Sequence, residues 1–266
     1  MADPFQDVDA AGPEFIKTFA DAMDMRQADP TMEAIVAEYL DQLTFASNTL
    51  TVEVGVGAGA VSRRVAARAA PGKVIGFEPS KGFVAEAKDR AQDHDNLSFA
   101  VADGAQLPLE DGVADHVIMH TVLTHVPDPA ILIGEAQRVL KPYGQLVICD
   151  CDFSKGSFAS FPNDPLESCA KTFAAEFVTD PFVVAKLRSL VNDAGFAERG
   201  FKFKSRIVSD GPQMLPWVSE TGKMMVARGQ IGEDLAAALV SEYQRRAALG
   251  QLYGYQVFAS LIAAKA

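Results

Sequence analysis

The stretch TLTVEVGVGAGAVSRRVAARAA, residues 49–70, sets an apolar run against a helical pattern and places Gly55, Gly57 and Gly59 between them. Without a Cβ, backbone in such a turn can take left-handed dihedrals and approach a ligand closely. The helix that follows offers unpaired N–H groups at its start. The alternation continues outward from this turn. Apolar runs at 49–54, 73–78, 97–102, 116–120 and 145–151 read as buried parallel strands. Helical patterns separate them: residues 59–70, a segment from a Ser80 N-cap to about 92, and DPAILIGEAQRVL with Pro129 in its first turn. Strand and helix in strict succession predict a doubly wound α/β sheet.

The flanks add to this frame. FKFKSRIVS alternates strictly from Phe201, and YGYQVFASLIAAK is an apolar strand candidate at the C-terminus. A helical insert over residues 211–249 lies between these two. Ahead of the sheet comes a helical arm, residues 13–43, in which Pro30 opens the amphipathic stretch PTMEAIVAEYLDQL. With 266 residues and 48% hydrophobic composition, the chain can bury the core of a single domain, residues 1–266, around a ligand-binding core at 49–152.

Charge narrows the function classes. A formal net charge of -11 argues against a phosphate backbone as partner, which calls for a basic face, so nucleic acid is not expected. The acidic start, MADPFQDVDAAG, lacks the basic and apolar regions of a secretory signal, and no run of 18 apolar residues occurs, so neither export nor a membrane span is expected. Three cysteines, an odd number, fit a reduced, cytoplasmic setting. Cys149 and Cys151 sit two apart on a strand and read as buried small hydrophobes on one face. No metal cluster is evident, and His94 and His116 look peripheral.

GVGAGA satisfies the G-x-G-x-x-G/A pattern of dinucleotide folds, so a nicotinamide-dependent oxidoreductase is one reading. Glu53 opposes it: its carboxylate leaves the same strand end that would have to host a doubly charged pyrophosphate. An ammonium group would be welcomed there, and the amino acid end of S-adenosylmethionine carries one. Glu78 closes the second strand, where it can accept hydrogen bonds from both ribose hydroxyls. Asp103, followed by Gly104, succeeds the third strand, where a carboxylate can accept from an adenine amine.

These residues resemble those of the class I S-adenosylmethionine-dependent methyltransferases, of the group that includes the quinone-biosynthesis enzymes. VEVGVGAG is similar to the family's first motif, GFEPS to the acidic end of its second strand, and ADGAQLPLEDGVADHV to its adenine-contacting segment. MHTVLTHVPDP and EAQRVLKPYGQLVICD resemble its fourth and fifth strands. The resemblance runs from about residue 50 to 152 and implies a Rossmann-like, seven-stranded, mostly parallel sheet. It implies S-adenosylmethionine as cofactor, with Glu53, Gly55, Gly57, Gly59, Glu78, Asp103, Gly104 and His120 as its contacts. The two tail strands become the family's antiparallel edge pair, which the basic fold joins tightly and this chain joins through two helices.

Methyl transfer from a sulfonium needs an acceptor held in line and a place for its proton. His120 ends the fourth strand and His125 follows in HTVLTHVPDP; both are candidate bases. Asp150 and Asp152 are alternatives, with loop-capping as their commoner role. Phe15, Phe19, Met23 and Met25 of the arm, with Met214, Trp217, Met224 and Met225 of the insert, are the candidates for lining an apolar acceptor site. The expected acceptor is therefore a small apolar or aromatic metabolite. A non-catalytic S-adenosylmethionine-binding protein is the further alternative.

Overall fold

The structure, a computed structural model, describes residues 3–265. Strands β1 (Leu50–Val54), β2 (Lys73–Glu78), β3 (Leu97–Val101), β4 (Ala114–His120), β5 (Leu140–Cys151), β6 (Phe196–Val208) and β7 (Gly254–Lys265) form one sheet in the order β3-β2-β1-β4-β5-β7-β6. The first five pair in parallel, and β7 runs antiparallel to both β5 and β6. This is the Rossmann-like sheet expected, with β6 beginning at Phe196 rather than Phe201. The apolar runs are continuous because the sheet is covered on both faces. Val52, Val54, Val117, Met119, Leu146 and Ile148 pack into one core. Ile118, Val147, Cys149 and Cys151 pack into the other, which puts the two cysteines on the same face and buried, as their spacing predicts.

The N-terminal arm is longer than its sequence pattern shows. A 3-10 turn at Pro4–Gln6 and the short α1 (Val8–Ala11) precede α2 (Pro13–Gln27) and α3 (Pro30–Leu40). Asp29 caps α3, accepting from the Thr31 N–H at 2.8 Å. Three helices then alternate with the strands: α4 (Ala60–Ala69), α5 (Lys81–Asp89) and α6 (Pro129–Val139). Ser80 is the N-cap of α5, accepting from the Phe83 N–H at 3.0 Å, and Asp128 caps α6. Asp9 of α1 reaches the same end of α5, where it accepts from Ser80 Oγ and from the N–H groups of Lys81 and Gly82. That contact ties the start of the chain across the top of the sheet.

Two helices without a counterpart in the sequence reading, α7 (Pro165–Glu176) and α8 (Val183–Asp193), lie between β5 and β6. The insert between β6 and β7 is helical as expected, as α9 (Leu215–Ala227) and α10 (Glu233–Ala248). Arg246 fastens it with a bidentate, buried pair to Asp164, at 2.6 and 3.0 Å. Breaking one side of such a pair costs about 3–5 kcal/mol, so the insert is anchored at its far end rather than loosely attached. Among the described residues, no helix is long and apolar enough to cross a membrane.

Candidate active site

Strand order reverses between β1 and β4, and in open α/β sheets the crevice at such a reversal, beyond the carboxyl ends of the strands, is where ligands bind. Here the arm and the insert roof that crevice into a cavity of about 440 Å³. Its one half is built by the ends of β1 and β2 and the loop after β3; its other half by the ends of β4, β5 and β6 with α2, α7 and α9.

The first half holds the glycine turn. Gly55 and Gly57 line the cavity at φ 70° and 52°, in the left-handed region that a side chain disfavours. A Cβ on Gly55 would also stand 2.7 Å from Val122 Cγ2. Gly59, expected among the ligand contacts, does not line the cavity. It is the left-handed N-cap of α4, and a Cβ there would press on Phe99 and Ala87, so its work is helix packing. Gly104 does line the cavity, where a Cβ would meet Val54 Cγ1 at 2.6 Å.

Three carboxylates face this half. Glu53 is 2% exposed, its Oε2 has no hydrogen-bond partner, and burial pushes its carboxyl up to about 8, against a smaller opposing pull from Ser62 and Arg63. An unpartnered buried carboxyl oxygen is costly and stays in a fold where something else completes it. Glu78 is fixed by two backbone donors, Gly57 N–H at 3.0 Å and Ser80 N–H at 3.1 Å. Each oxygen keeps a second lone pair, and burial outweighs these bonds to raise its carboxyl above the ordinary range. Asp103 lines the cavity from an exposed position, its Oδ1 accepting from the Ala105 N–H at 2.9 Å.

Both candidate histidines line the cavity, and their surroundings part them. His120 is buried, with Nδ1 3.2 Å from the Tyr39 hydroxyl and Nε2 without a partner. Burial first, and the Arg26 charge second, push its imidazole down to about 3. It is neutral at working pH and a poor proton acceptor, which corrects its place among the candidate bases. His125 Nδ1 instead meets Asp3 Oδ2 at 2.8 Å, 122 residues away in sequence. Asp3 also accepts from Thr179 Oγ1 and from the Phe5 N–H, so three bonds hold its carboxylate in place. An aspartate at Nδ1 places a proton on that nitrogen and fixes the orientation of the ring. Asp150 and Asp152 do not line the cavity. Asp150 accepts from the Thr124 and Cys151 N–H groups, with its carboxyl pushed up to about 6 by burial, and Asp152 accepts from Ser154 Oγ. Both therefore order loops. His116 bonds the Thr44 carbonyl, away from the site.

The second half is largely aromatic. Trp217 stacks on Phe173 with centroids 4.5 Å apart and on Phe153 at 5.4 Å. Phe19 and Met23 of α2 also line the cavity, Phe19 packed on Phe5 and Met23 against Gly57. Of the other residues expected here, Phe15, Met25, Met214, Met224 and Met225 do not line the cavity; Met214 packs instead against Gly254. The structure also brings into the cavity residues that no local pattern marks, Phe5 from the chain start, Arg26 from α2, Arg206 from β6 and Gln256 from β7, while Asp3 reaches it only through His125. Among the described residues, no group of three or more His, Cys, Asp or Glu is placed to hold a metal ion.

Comparison with known proteins sets this arrangement beside the methyltransferases. Residues 52–148 match the family described as Methyltransferase domain. An uncharacterized protein of a Streptomyces fradiae transposon is 31% identical over 159 residues, which cover 59% of this chain and 46% of that protein. The chain thus spans about half the length of that relative. The demethylmenaquinone methyltransferase of Tropheryma whipplei is 27% identical over 167 residues, covering 57% of this chain and 67% of its own. Among solved structures, the geranyl diphosphate C-methyltransferase of Streptomyces coelicolor, in complex with Mg2+, geranyl diphosphate and S-adenosyl-L-homocysteine, shares the fold. Its TM-score is 0.54 at 17% identity, over 88% of this chain and 80% of that one. Residues 52–148 thus match a methyltransferase domain, and the chain is similar to proteins named as methyltransferases.

Proposed function

We propose that the protein transfers a methyl group from S-adenosylmethionine to a small molecule with an apolar or aromatic body, acting as one domain in the cytoplasm. The observation that carries the cofactor assignment is the buried, unpartnered Oε2 of Glu53 beside Gly55 and Gly57 in one cavity wall. An ammonium group satisfies that oxygen; a pyrophosphate does not. Glu78, already aimed by the Gly57 and Ser80 N–H groups, presents its free lone pairs to ribose hydroxyls, and Asp103 with Gly104 borders the place for the base. When bound, S-adenosylmethionine supplies a methyl carbon that its sulfonium makes electrophilic.

The rest of the work falls to the chain. The aromatic wall of Phe153, Phe173 and Trp217 excludes water and holds the flat or apolar body of the acceptor. His125 takes the acceptor's proton on Nε2, and Asp3, bonded at Nδ1, holds the ring in place. His120 stays neutral and borders the cofactor. Three free, buried cysteines fit a reducing compartment. Incubation of the protein and S-adenosylmethionine with a panel of small apolar and aromatic acceptors tests the reading. Formation of S-adenosylhomocysteine in step with a methylated product supports it. Tight cofactor binding with no turnover across the panel would leave the non-catalytic alternative in its place.

A further inference from the structure

The acceptor half of the cavity contains two cations that the proposed methyl transfer does not use. Arg206, near the end of β6, is 1% exposed. Its Nη1 donates to Gln256 Oε1 at 2.7 Å and its Nε stands 3.2 Å from Asp29 Oδ2, but its Nη2 has no partner. Arg26, on α2, gives one bond of 3.3 Å from Nη2 to Thr121 Oγ1, and its buried Nε has none. Both side chains line the cavity. Guanidinium N–H groups left dry and unpaired cost several kcal/mol as a rule, and proteins keep them where a ligand completes the bonds. Asp29 is the one carboxylate among the described residues within ion-pair distance of either arginine.

The surroundings also set the size of the missing charge. Asp29 already offsets Arg206, whereas no carboxylate among the described residues stands within ion-pair distance of Arg26. The neighbouring Cys149 and Cys151 thiols are held neutral by burial, and no lysine lines the cavity. Two forked donors with their charge half compensated suit one negative charge on a planar head, not the two or more charges of a phosphate or diphosphate. The aromatic wall of Phe153, Phe173 and Trp217 lies in the same half of the cavity, so the head must carry an apolar or aromatic body.

We infer that Arg26 and Arg206 together bind a carboxylate of the methyl acceptor, which makes the acceptor an apolar or aromatic carboxylic acid. This rests on the methyltransferase reading above and narrows its substrate class.

Trp217 is the single tryptophan of the chain and stacks in this wall, so its fluorescence reports occupancy. The probes are 3-phenylpropanoate and octanoate, their neutral amides, and phenyl phosphate, titrated into protein saturated with S-adenosylhomocysteine. The carboxylates should bind on the order of tenfold or more tightly than the matching amides, the worth of a charge-assisted pair of bonds. Arg26→Gln and Arg206→Gln should each weaken the carboxylates by a similar factor and leave the amides and S-adenosylhomocysteine unchanged. If the buried Arg206→Gln variant fails to fold, Arg26→Gln and Arg206→Lys carry the test, the lysine keeping charge but losing the fork. Equal affinity for acids and amides, including equal absence of binding, overturns the inference while cofactor binding leaves the methyltransferase reading intact. Loss of acid and amide together in the variants, or tighter binding of phenyl phosphate than of the carboxylates, overturns it equally. Failure of S-adenosylhomocysteine to bind wild-type protein overturns both.

Discussion

Replacing Glu53 by glutamine separates folding from function at one position. In the ligand-free protein the Glu53 carboxyl is pushed up to about 8 by burial, from an ordinary 4.5. An acid whose folded value lies above its unfolded value holds a proton that the unfolded chain has already given up. Its charge therefore opposes folding above pH 4.5, increasingly so up to about 8, beyond which the penalty levels off. At pH 7 the gap is two and a half units, and at about 1.4 kcal/mol per unit the penalty is about 3 kcal/mol. Glutamine has the same shape and no charge. Glu53→Gln should thus stabilise the empty protein by about 3 kcal/mol at pH 7, or roughly 6–10 °C in Tm for a chain of this size. The gain should vanish at pH 4, where both forms are neutral in both states. The same variant should bind S-adenosylmethionine roughly 10- to 100-fold more weakly, because a charge-assisted bond to the ammonium is lost. In wild type the complex needs Glu53 ionised, so binding at pH 7 should release a proton, visible as a buffer-dependent enthalpy in calorimetry. Thermal unfolding of both proteins at pH 4 and pH 7, with calorimetric titrations at pH 7, reads all of this. A variant no more stable than wild type at pH 7, with unchanged cofactor affinity, would refute the role given to Glu53.

Four other outcomes are expected. His125→Ala should lower kcat on the order of 10²-fold or more, with cofactor affinity retained, and Asp3→Asn should lower kcat less, since it only positions His125; equal kcat in all three proteins would remove the dyad from the mechanism. Gly55→Ala should destabilise by about 1–3 kcal/mol, because φ is 70° and Val122 stands 2.7 Å from the new Cβ; denaturant unfolding checks this. Trp217→Ala should raise KM for the acceptor more than it changes cofactor affinity. In wild type, hydrogen exchange in residues 3–27 and 215–227 should slow most when cofactor and acceptor are both present; a change in thermal stability alone would assign Trp217 to the core.

How much of this was legible in the sequence follows from how far apart the parts lie along the chain. Glu53, Gly55, Gly57, Glu78, Asp103 and Gly104 each sit at or just beyond a strand end, and the period of strands and helices places all of them on one edge of the sheet. Gly59 carries the same residue type in the same run, yet one turn further on its left-handed conformation serves the helix. The sequence records the need for glycine there but not which neighbour imposes it. The other half of the cavity draws on the chain start, α2, β6 and β7, so no window contains it. Arg26 and Arg206 look like ordinary surface cations in sequence, and only the packing of α2 over the strand ends buries them with donors unpaired. Asp3 is one acidic residue among several in a short polar segment. Its significance comes from His125, which only the folded chain brings within 2.8 Å. The helices α7 and α8 lack the strand-to-strand spacing that exposes the others, and they form because their apolar faces cover the sheet and the insert.

The central claim, that this cavity is a site for S-adenosylmethionine, is tested most directly by calorimetric titration of the wild-type protein with S-adenosylmethionine, S-adenosylhomocysteine and NAD at pH 7. The account expects one site per chain for the first two and no measurable binding of NAD. Binding of NAD with no heat from either S-adenosyl compound would contradict it.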